Sequence, residues 1–158
     1  MSEENVEIVR RIYGEGLIDR DPKRFVNDFA APDIEYVNPP EAADPGIRRG
    51  RAEVMLALRR ARQSSASYRH ELHELFDLGD AVVAAVSRHA GRPSSSETQQ
   101  EAHTWTLRDG KIVRFERSPN LEAALEARGC RNGGSIAALD EKPLQVGLAG
   151  LAQTPDCR

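Results

Sequence analysis

Apolar residues recur at helical spacing near the N-terminus: Val6, Val9, Tyr13 and Leu17 form one stripe, widened by Ile8 and Ile12. That period predicts an amphipathic first helix. Ser2 caps it, Glu3 and Glu4 sit in its first turn, and Gly14 and Gly16 weaken its end. Asp21-Pro22 joins a capping side chain to a proline at the first helical position, predicting a short helix through Phe29 that buries Phe25, Val26 and Phe29. Residues Ile34 to Asn38 alternate and then meet Pro39-Pro40, the pattern of a short strand that cannot continue. A loop runs on to Gly50, and Ala52 to Arg62 predicts a third helix with Val54, Leu58 and Ala61 inward.

Beyond that helix the period drops to two. Strands are predicted over 68–76, 81–90, 98–108 and 111–118. A turn at Asp77-Leu78-Gly79-Asp80, a polar loop at 91–97 and a tight Asp109-Gly110 hairpin separate them. Asn120 caps a last short helix that Gly129 ends. Helices followed by an antiparallel meander give an α+β fold. The expected architecture is a cone-shaped, curved antiparallel sheet with three helices on its concave side and a mouth that takes small ligands. Residues 3–129 read as one domain. Residues 130–158, with Gly133, Gly134, Pro143, Gly147, Gly150 and Pro155, read as a flexible C-terminal extension. The alternative is a segment that crosses to a partner subunit or covers the mouth.

Composition narrows the partners. The 22 basic and 25 acidic residues leave a net charge of −3, so no global field draws in nucleic acid or an anionic membrane. Arg48, Arg49, Arg51, Arg59, Arg60, Arg62 and Arg69 crowd the third helix and its flanks with no interleaved aromatic but Tyr68, the mark of a solvated face or a dimer contact. No apolar run approaches the roughly 18–20 residues that span a bilayer, and the acidic N-terminus is not a signal peptide. The expectation is a soluble, cytoplasmic protein with no nucleic-acid and no membrane partner. Cys130 and Cys157 are then expected as free thiols, one disulfide being the alternative.

Specific stretches go further than the element order. Glu4 to Tyr13, Ala31-Pro32-Asp33-Ile34-Glu35-Tyr36, Arg49-Gly50-Arg51-Ala52-Glu53 and above all His103 to Ile112 resemble SnoaL-like proteins of the nuclear transport factor 2-like superfamily. The resemblance covers residues 3–129. It implies a cystatin-like cone, a dimer and a deep apolar pocket. Its members include ketosteroid isomerases, polyketide cyclases, dehydratases, epoxide hydrolases and proteins that only bind. The fold therefore points to a site and not to one reaction.

The resemblance also suggests roles. Tyr13 lies where the isomerases carry a tyrosine that donates to a substrate oxyanion. Asn38 occupies the place of their general-base carboxylate, and an amide can only orient. His103 stands near their second donor and is the available acid/base at neutral pH. Strand alternation gives Glu101, His103 and Trp105 one face. Glu101 could tune His103, and Trp105 is wall. Cyclases carry an acid/base aspartate on the last strand, but Ile112 to Ser118 has none. If Phe115 faces the pocket, so does Arg117, which could bind a carboxylate or enolate. Tyr36, Trp105, Phe115, Arg117 and Glu101 are thus the expected substrate-binding residues, with Tyr13, His103 and Asn38 the expected catalytic set. Glu41 and Asp44 stand on the mouth loop. His70 and His73, three apart on a strand, point to opposite faces and make a poor metal pair, so no metal and no cofactor are expected.

Three functions compete: a cofactor-free isomerase, cyclase or dehydratase acting on an apolar carbonyl compound, a non-catalytic ligand binder, and a dimeric interaction domain. A homodimer through the open sheet face is expected, because one helix layer cannot cover both faces of strands 81–90 and 98–108. Light scattering at micromolar concentration checks that expectation, and a monomeric particle would refute it.

Overall fold

The stripe Val6, Val9 and Ile12 is buried along α1 (Ser2–Gly14). The chain then turns through α2 (Leu17–Arg20) and α3 (Pro22–Arg24) into one π-helical turn at Phe25–Phe29. Asp21 caps α3 by accepting the Arg24 N–H at 3.0 Å. The strands and remaining helices follow as β1 (Ala30–Asn38), β2 (Gly46–Arg49), α4 (Arg51–Gln63), β3 (Ser67–Asp77), β4 (Ala81–Arg92), β5 (Ser95–Arg108), β6 (Lys111–Ser118) and α5 (Leu121–Glu126). A two-residue pair, β7 (Cys130–Arg131) with β8 (Asp156–Cys157), completes the order. This computed structural model describes residues 2–64, 67–92, 95–131 and 156–157. None of the helices among them is long and apolar enough to cross a membrane.

The cone is not what forms. Six strands make one open sheet in the order β2-β1-β6-β5-β4-β3, whose end strands β2 and β3 do not pair with each other. The sheet is mixed, since β1 runs parallel to β6 with Tyr36 beside Phe115. Parallel neighbours need a long crossover, and here the whole of α4, β3, β4 and β5 lies between them. The local alternation of each strand carries no information about that partner. The helices do not all gather on one side either. The first four helical elements and α4 cover one face, whereas α5 lies on the other over Phe76, Val83 and Ala102.

Strand boundaries also move. The polar stretch expected as a loop at 91–97 instead extends the β4–β5 ladder, with Gly91 opposite Ser96 and Arg92 opposite Ser95. Backbone pairing sustains a ladder that side-chain hydrophobicity does not signal. The Asp109-Gly110 turn forms as its sequence demands, with both residues at positive φ (52° and 74°). Strand β2, four residues long and mostly exposed, has no apolar pattern to announce it.

The main core lies between the sheet and the helices of its first face. Trp105 is at its centre and is fully buried. It stacks on Phe115 with centroids 4.0 Å apart and meets Phe25 and Tyr13 edge-on at 5.8 Å. The opposite face beyond α5 is polar: His73 bonds Ser87, Gln100 donates to Ser87, and His89 links Glu71 to Thr98.

Cys130 is disulfide-bonded, correcting the expectation of free thiols. The β7–β8 pair sets Cys130 opposite Cys157, and directly opposed residues of antiparallel strands have Cα atoms close enough to bridge. Sequence separation hides that proximity. Cys130 itself is buried with Phe76, Val83 and Leu125. Most of the expected extension, residues 132–155, falls outside the described residues.

Replacing Trp105 by Ala is expected to destabilise the fold by roughly 3–5 kcal/mol, the usual cost of emptying a large aromatic site in a core. Urea denaturation measures it. A loss below about 1 kcal/mol would show that the stack is not the centre of the core.

Candidate functional site

The core changes character at one end of this stack. Glu101 on β5 is only 7% exposed, and a buried carboxylate needs donors. It has them. Its Oε1 faces His103 Nε2 at 2.9 Å and His70 Nε2 at 3.1 Å, and its Oε2 accepts from Arg117 Nη2 at 2.7 Å. Arg88 Nε stands 3.5 Å from the same Oε2.

Four strands supply these groups. His103 shares the inner face of β5 with Glu101, Arg117 comes from neighbouring β6, and His70 from β3 on the far side of β4. The two imidazoles meet across β4, on which His103 is paired with Ala84 and His70 with Arg88. The ring centroids are 4.8 Å apart.

Each imidazole has a second partner. His70 Nδ1 lies 2.8 Å from Asp19 Oδ1, and the His70 backbone N–H donates to Asp19 Oδ2 at 2.8 Å. His103 Nδ1 lies 2.6 Å from Tyr13 Oη, which accepts from Trp105 Nε1 at 2.9 Å. One unbroken line of hydrogen bonds therefore joins Asp19, His70, Glu101, His103 and Tyr13.

The partners assign the protons. Burial pushes the Glu101 carboxyl up, but His103, His70 and Arg117 outweigh it, and it is held well below the usual carboxylate range. The ionised Glu101 makes both Nε2 atoms donors. Burial pushes His103 down to about 4, opposed by Glu101 and reinforced by the charge of His70. His103 is therefore neutral, its Nδ1 an acceptor and Tyr13 the donor. Tyr13 stays a phenol, raised well above its ordinary value by burial. Both ring nitrogens of His70 face carboxylate oxygens, so both donate; burial pushes its value down, but Asp19 and Glu101 together outweigh it and the value is raised. Within this cluster Asp19 and Glu101 are answered by His70, Arg88 and Arg117.

A cavity of about 410 Å³ opens beside this network, between α4, the loop after β1 and the sheet. The sheet contributes Tyr36, Asn38, Tyr68, Arg88, Glu101 and Arg117, α4 contributes Ala57, Arg60 and Ala61, and the loop contributes Glu41 and Asp44. A second void of about 10 Å³ adjoins it across Tyr36, Ala61, Tyr68 and Arg117, and is also bounded by Asp19, His70 and Phe115.

Of the residues expected from sequence, Tyr36, Asn38, Glu101 and Arg117 line the cavity. Asn38 is buried and donates to the Asp44 backbone oxygen at 2.9 Å. Tyr13, His103 and Trp105 are brought together, but behind Glu101 and away from the cavity wall. Phe115 stacks between Trp105 and Tyr36. Asp44, on the mouth loop, is ion-paired with Arg48. The sequence reading did not bring in His70, Asp19, Arg88 or Tyr68. Alternation in β3 puts Tyr68, His70 and Leu72 on one face, which was a readable signal for His70. Asp19, in a helix of four residues, gave none.

His70, Glu101 and His103 also offer three ligand atoms within 4.8 Å of one another, a spacing that a divalent ion can bridge. Both Nε2 atoms already donate to Glu101, and guanidinium groups stand at its other oxygen. A dication would add charge where cations already outnumber anions. The arrangement suits protons better than metal.

The sequence profile described as "SnoaL-like domain" matches residues 9–115. No curated protein matches the chain. Among solved structures, TerC co-crystallized with polyporic acid is 28% identical, with a TM-score of 0.64 over 78% of this chain and 96% of that one. A nuclear transport factor 2-like protein of unknown function from Burkholderia pseudomallei is 24% identical (TM-score 0.63, 78% of this chain and 95% of that one). Bal32a, from a soil-derived mobile gene cassette, is 15% identical (TM-score 0.65, 73% and 88%). The last two show likeness of fold alone.

The two histidines have opposite effects on stability. Folded His103 titrates near 4 against an ordinary 6.5, so between those values the unfolded chain binds the extra proton and stability falls as pH falls. The folded value of His70 is raised, so its contribution is complete below 6.5 and is lost as pH rises through the folded value. His103→Asn is expected to flatten the acid-side slope between about pH 6.5 and 4, while His70→Asn costs more at about pH 6 than at about pH 9. Urea denaturation at stepped pH reads both. An unchanged acid-side slope in His103→Asn would mean that folded His103 already carries the proton.

Proposed function

The chain belongs to the SnoaL-like domain family, and on that premise we propose that it binds a small organic molecule bearing a carbonyl or enol oxygen in the cavity beside Glu101 and moves protons on it without a cofactor. The observation that carries this reading is the hydrogen-bonded line whose middle member reaches the cavity wall. Glu101 is its one member in contact with the 410 Å³ space. Behind it, His103 and Tyr13 on one arm and His70 and Asp19 on the other orient the carboxylate and fix which atoms hold protons. Such a device serves isomerisation, cyclisation or dehydration, all of which need a proton taken from or given to a positioned atom. Tyr13 and His103 act here through Glu101 as positioning residues. Asn38, tied to Arg117 and to the mouth loop, orients the wall.

One observation favours plain binding as a second reading. The donors around Glu101 hold its carboxyl far below the ordinary range, and a carboxylate so stabilised is a weak base. The co-crystal of TerC with polyporic acid supports ligand binding under either reading, and makes that compound the first probe.

A saturating ligand stabilises the state that binds it, by about 2.7 kcal/mol at one hundred times Kd. Polyporic acid and a set of enolisable ketones are therefore expected to raise the melting temperature. If none does so, the cavity is not a site for this class. With a ligand that is turned over, Glu101→Gln is expected to keep binding and lose roughly 10²-fold or more in turnover. Unchanged turnover would leave the binding reading in its place.

A further inference from the structure

Six charged side chains line the cavity, Glu41, Asp44 and Glu101 beside Arg60, Arg88 and Arg117. Four of them are already answered within the protein. Arg117 donates to Glu101, Arg88 stands beside Glu101 and donates to Gln99, and Asp44 is ion-paired with Arg48. Glu41 and Arg60 are left over, opposite in sign, each without a hydrogen bond or ion pair among the described residues. Both are exposed and yet line the cavity, which puts them at its rim, Glu41 on the loop after β1 and Arg60 on α4. That loop is a stiff tip on a pinned base. Asn38 pairs with Gly46, and residues 39–45 span the gap between them. At the base, buried Asn38 donates through Nδ2 to the Asp44 backbone oxygen at 2.9 Å, and Arg48 holds both the Asp44 carboxylate and the Pro45 oxygen, the latter at 3.1 Å. At the tip, the Ala42 N–H donates to the Pro39 oxygen at 3.0 Å and closes a turn with Pro40 and Glu41 at its central positions. Proline at the first of these fixes the backbone, so Glu41 rides on a rigid corner. Ala42 and Ala43 join that corner to the base without bulk.

We propose that the 39–45 loop is a lid on the cavity, and that its closed state is held by an ion pair between Glu41 and Arg60 formed over a bound molecule. This rests on the reading of the cavity as a small-molecule site. The base held by Asn38 and Arg48 stays in place while the tip moves toward α4. Over open solvent such a pair gains little, because water screens both charges. A ligand beneath it displaces part of that water, and each charge is left with the other as its best partner. The pair therefore acts on retention of the ligand and hardly on the stability of the empty protein. The same arrangement gives Asn38 a use as an amide: its N–H group holds the Asp44 carbonyl, a bond that an ionised carboxylate at that position could not make.

The test follows release of polyporic acid from the full-length protein, or of the tightest-binding enolisable ketone if polyporic acid does not bind. Stopped-flow dilution is read by the fluorescence of Trp105, the single tryptophan of the chain. Glu41→Gln and Arg60→Gln are each expected to speed release about two- to fivefold, the scale of a partly exposed ion pair. The double variant is expected to match either single one, and the exchange of charges, Glu41→Arg with Arg60→Glu, to restore slow release. Raising NaCl from about 0.05 to 1 M is expected to speed release more in the parent than in the double variant. The sign at Glu41 separates a lid from a plain field effect. Removing a negative charge from the rim slows the escape of an acid and leaves a neutral ketone unaffected, whereas releasing the lid speeds both. Slower or unchanged release in Glu41→Gln, additive effects of the two substitutions, or no recovery on exchanging the charges would overturn the lid while leaving the cavity a binding site. Absence of saturable binding by polyporic acid and by every ketone would overturn both.

Discussion

A carboxylate removed from water must be answered by donors, and Glu101 is the point on which that requirement falls in this protein. Two imidazoles and a guanidinium answer it directly, and a second guanidinium lies close by. Each of those groups brings its own needs. His70, charged, requires Asp19. His103, neutral, requires a donor at Nδ1 and finds Tyr13, and the Tyr13 oxygen in turn accepts from Trp105. The polar line is satisfied end to end, which is the condition under which a buried network stabilises and orders a core.

The fold makes this possible by bringing distant segments to one face. Tyr13 and His103 are 90 residues apart in sequence, and Asp19 and His70 are 51 apart. The inner face of a sheet offers positions at fixed spacing, and the helices press their own side chains onto it. The apolar stack of Trp105 on Phe115 and Phe115 on Tyr36 runs alongside. It gives the polar line a wall that excludes water, and low polarity around it strengthens every charge interaction it contains.

That same environment limits the chemistry. Groups clamped this firmly exchange protons with little rearrangement, but Glu101 gives up basicity for its stability. The cavity wall carries acidic and basic side chains in equal number, Glu41, Asp44 and Glu101 beside Arg60, Arg88 and Arg117. In a family whose shared fold hosts many reactions, those side chains, and not the sheet, decide which one a member performs.

Sequence periodicity was enough to place α1, α4, the apolar parts of β1 and of β3 to β6, and the Asp109-Gly110 turn, because each depends on neighbours a few residues away. Alternation likewise put Glu101, His103 and Trp105 on one face. Residues resembling the SnoaL-like family singled out Tyr13 and His103, which do bond to each other. Tertiary structure decided the rest. The parallel pairing of β1 with β6 and the openness of the sheet follow from which strands meet, and no local pattern encodes that. His70 looked like half of a failed metal pair when paired with its sequence neighbour His73. It joined the site because β3 lies just beyond β4 from β5 in the sheet, which brings His70 to the same inner face as Glu101. Asp19 became a partner only once α2 packed on β3. Even the state of Cys130 turned on a strand pair formed across 26 intervening residues. Local chemistry sets the shape of an element. Which charges lie side by side is a property of how elements pack, and a charge shows its role only when its neighbours are known.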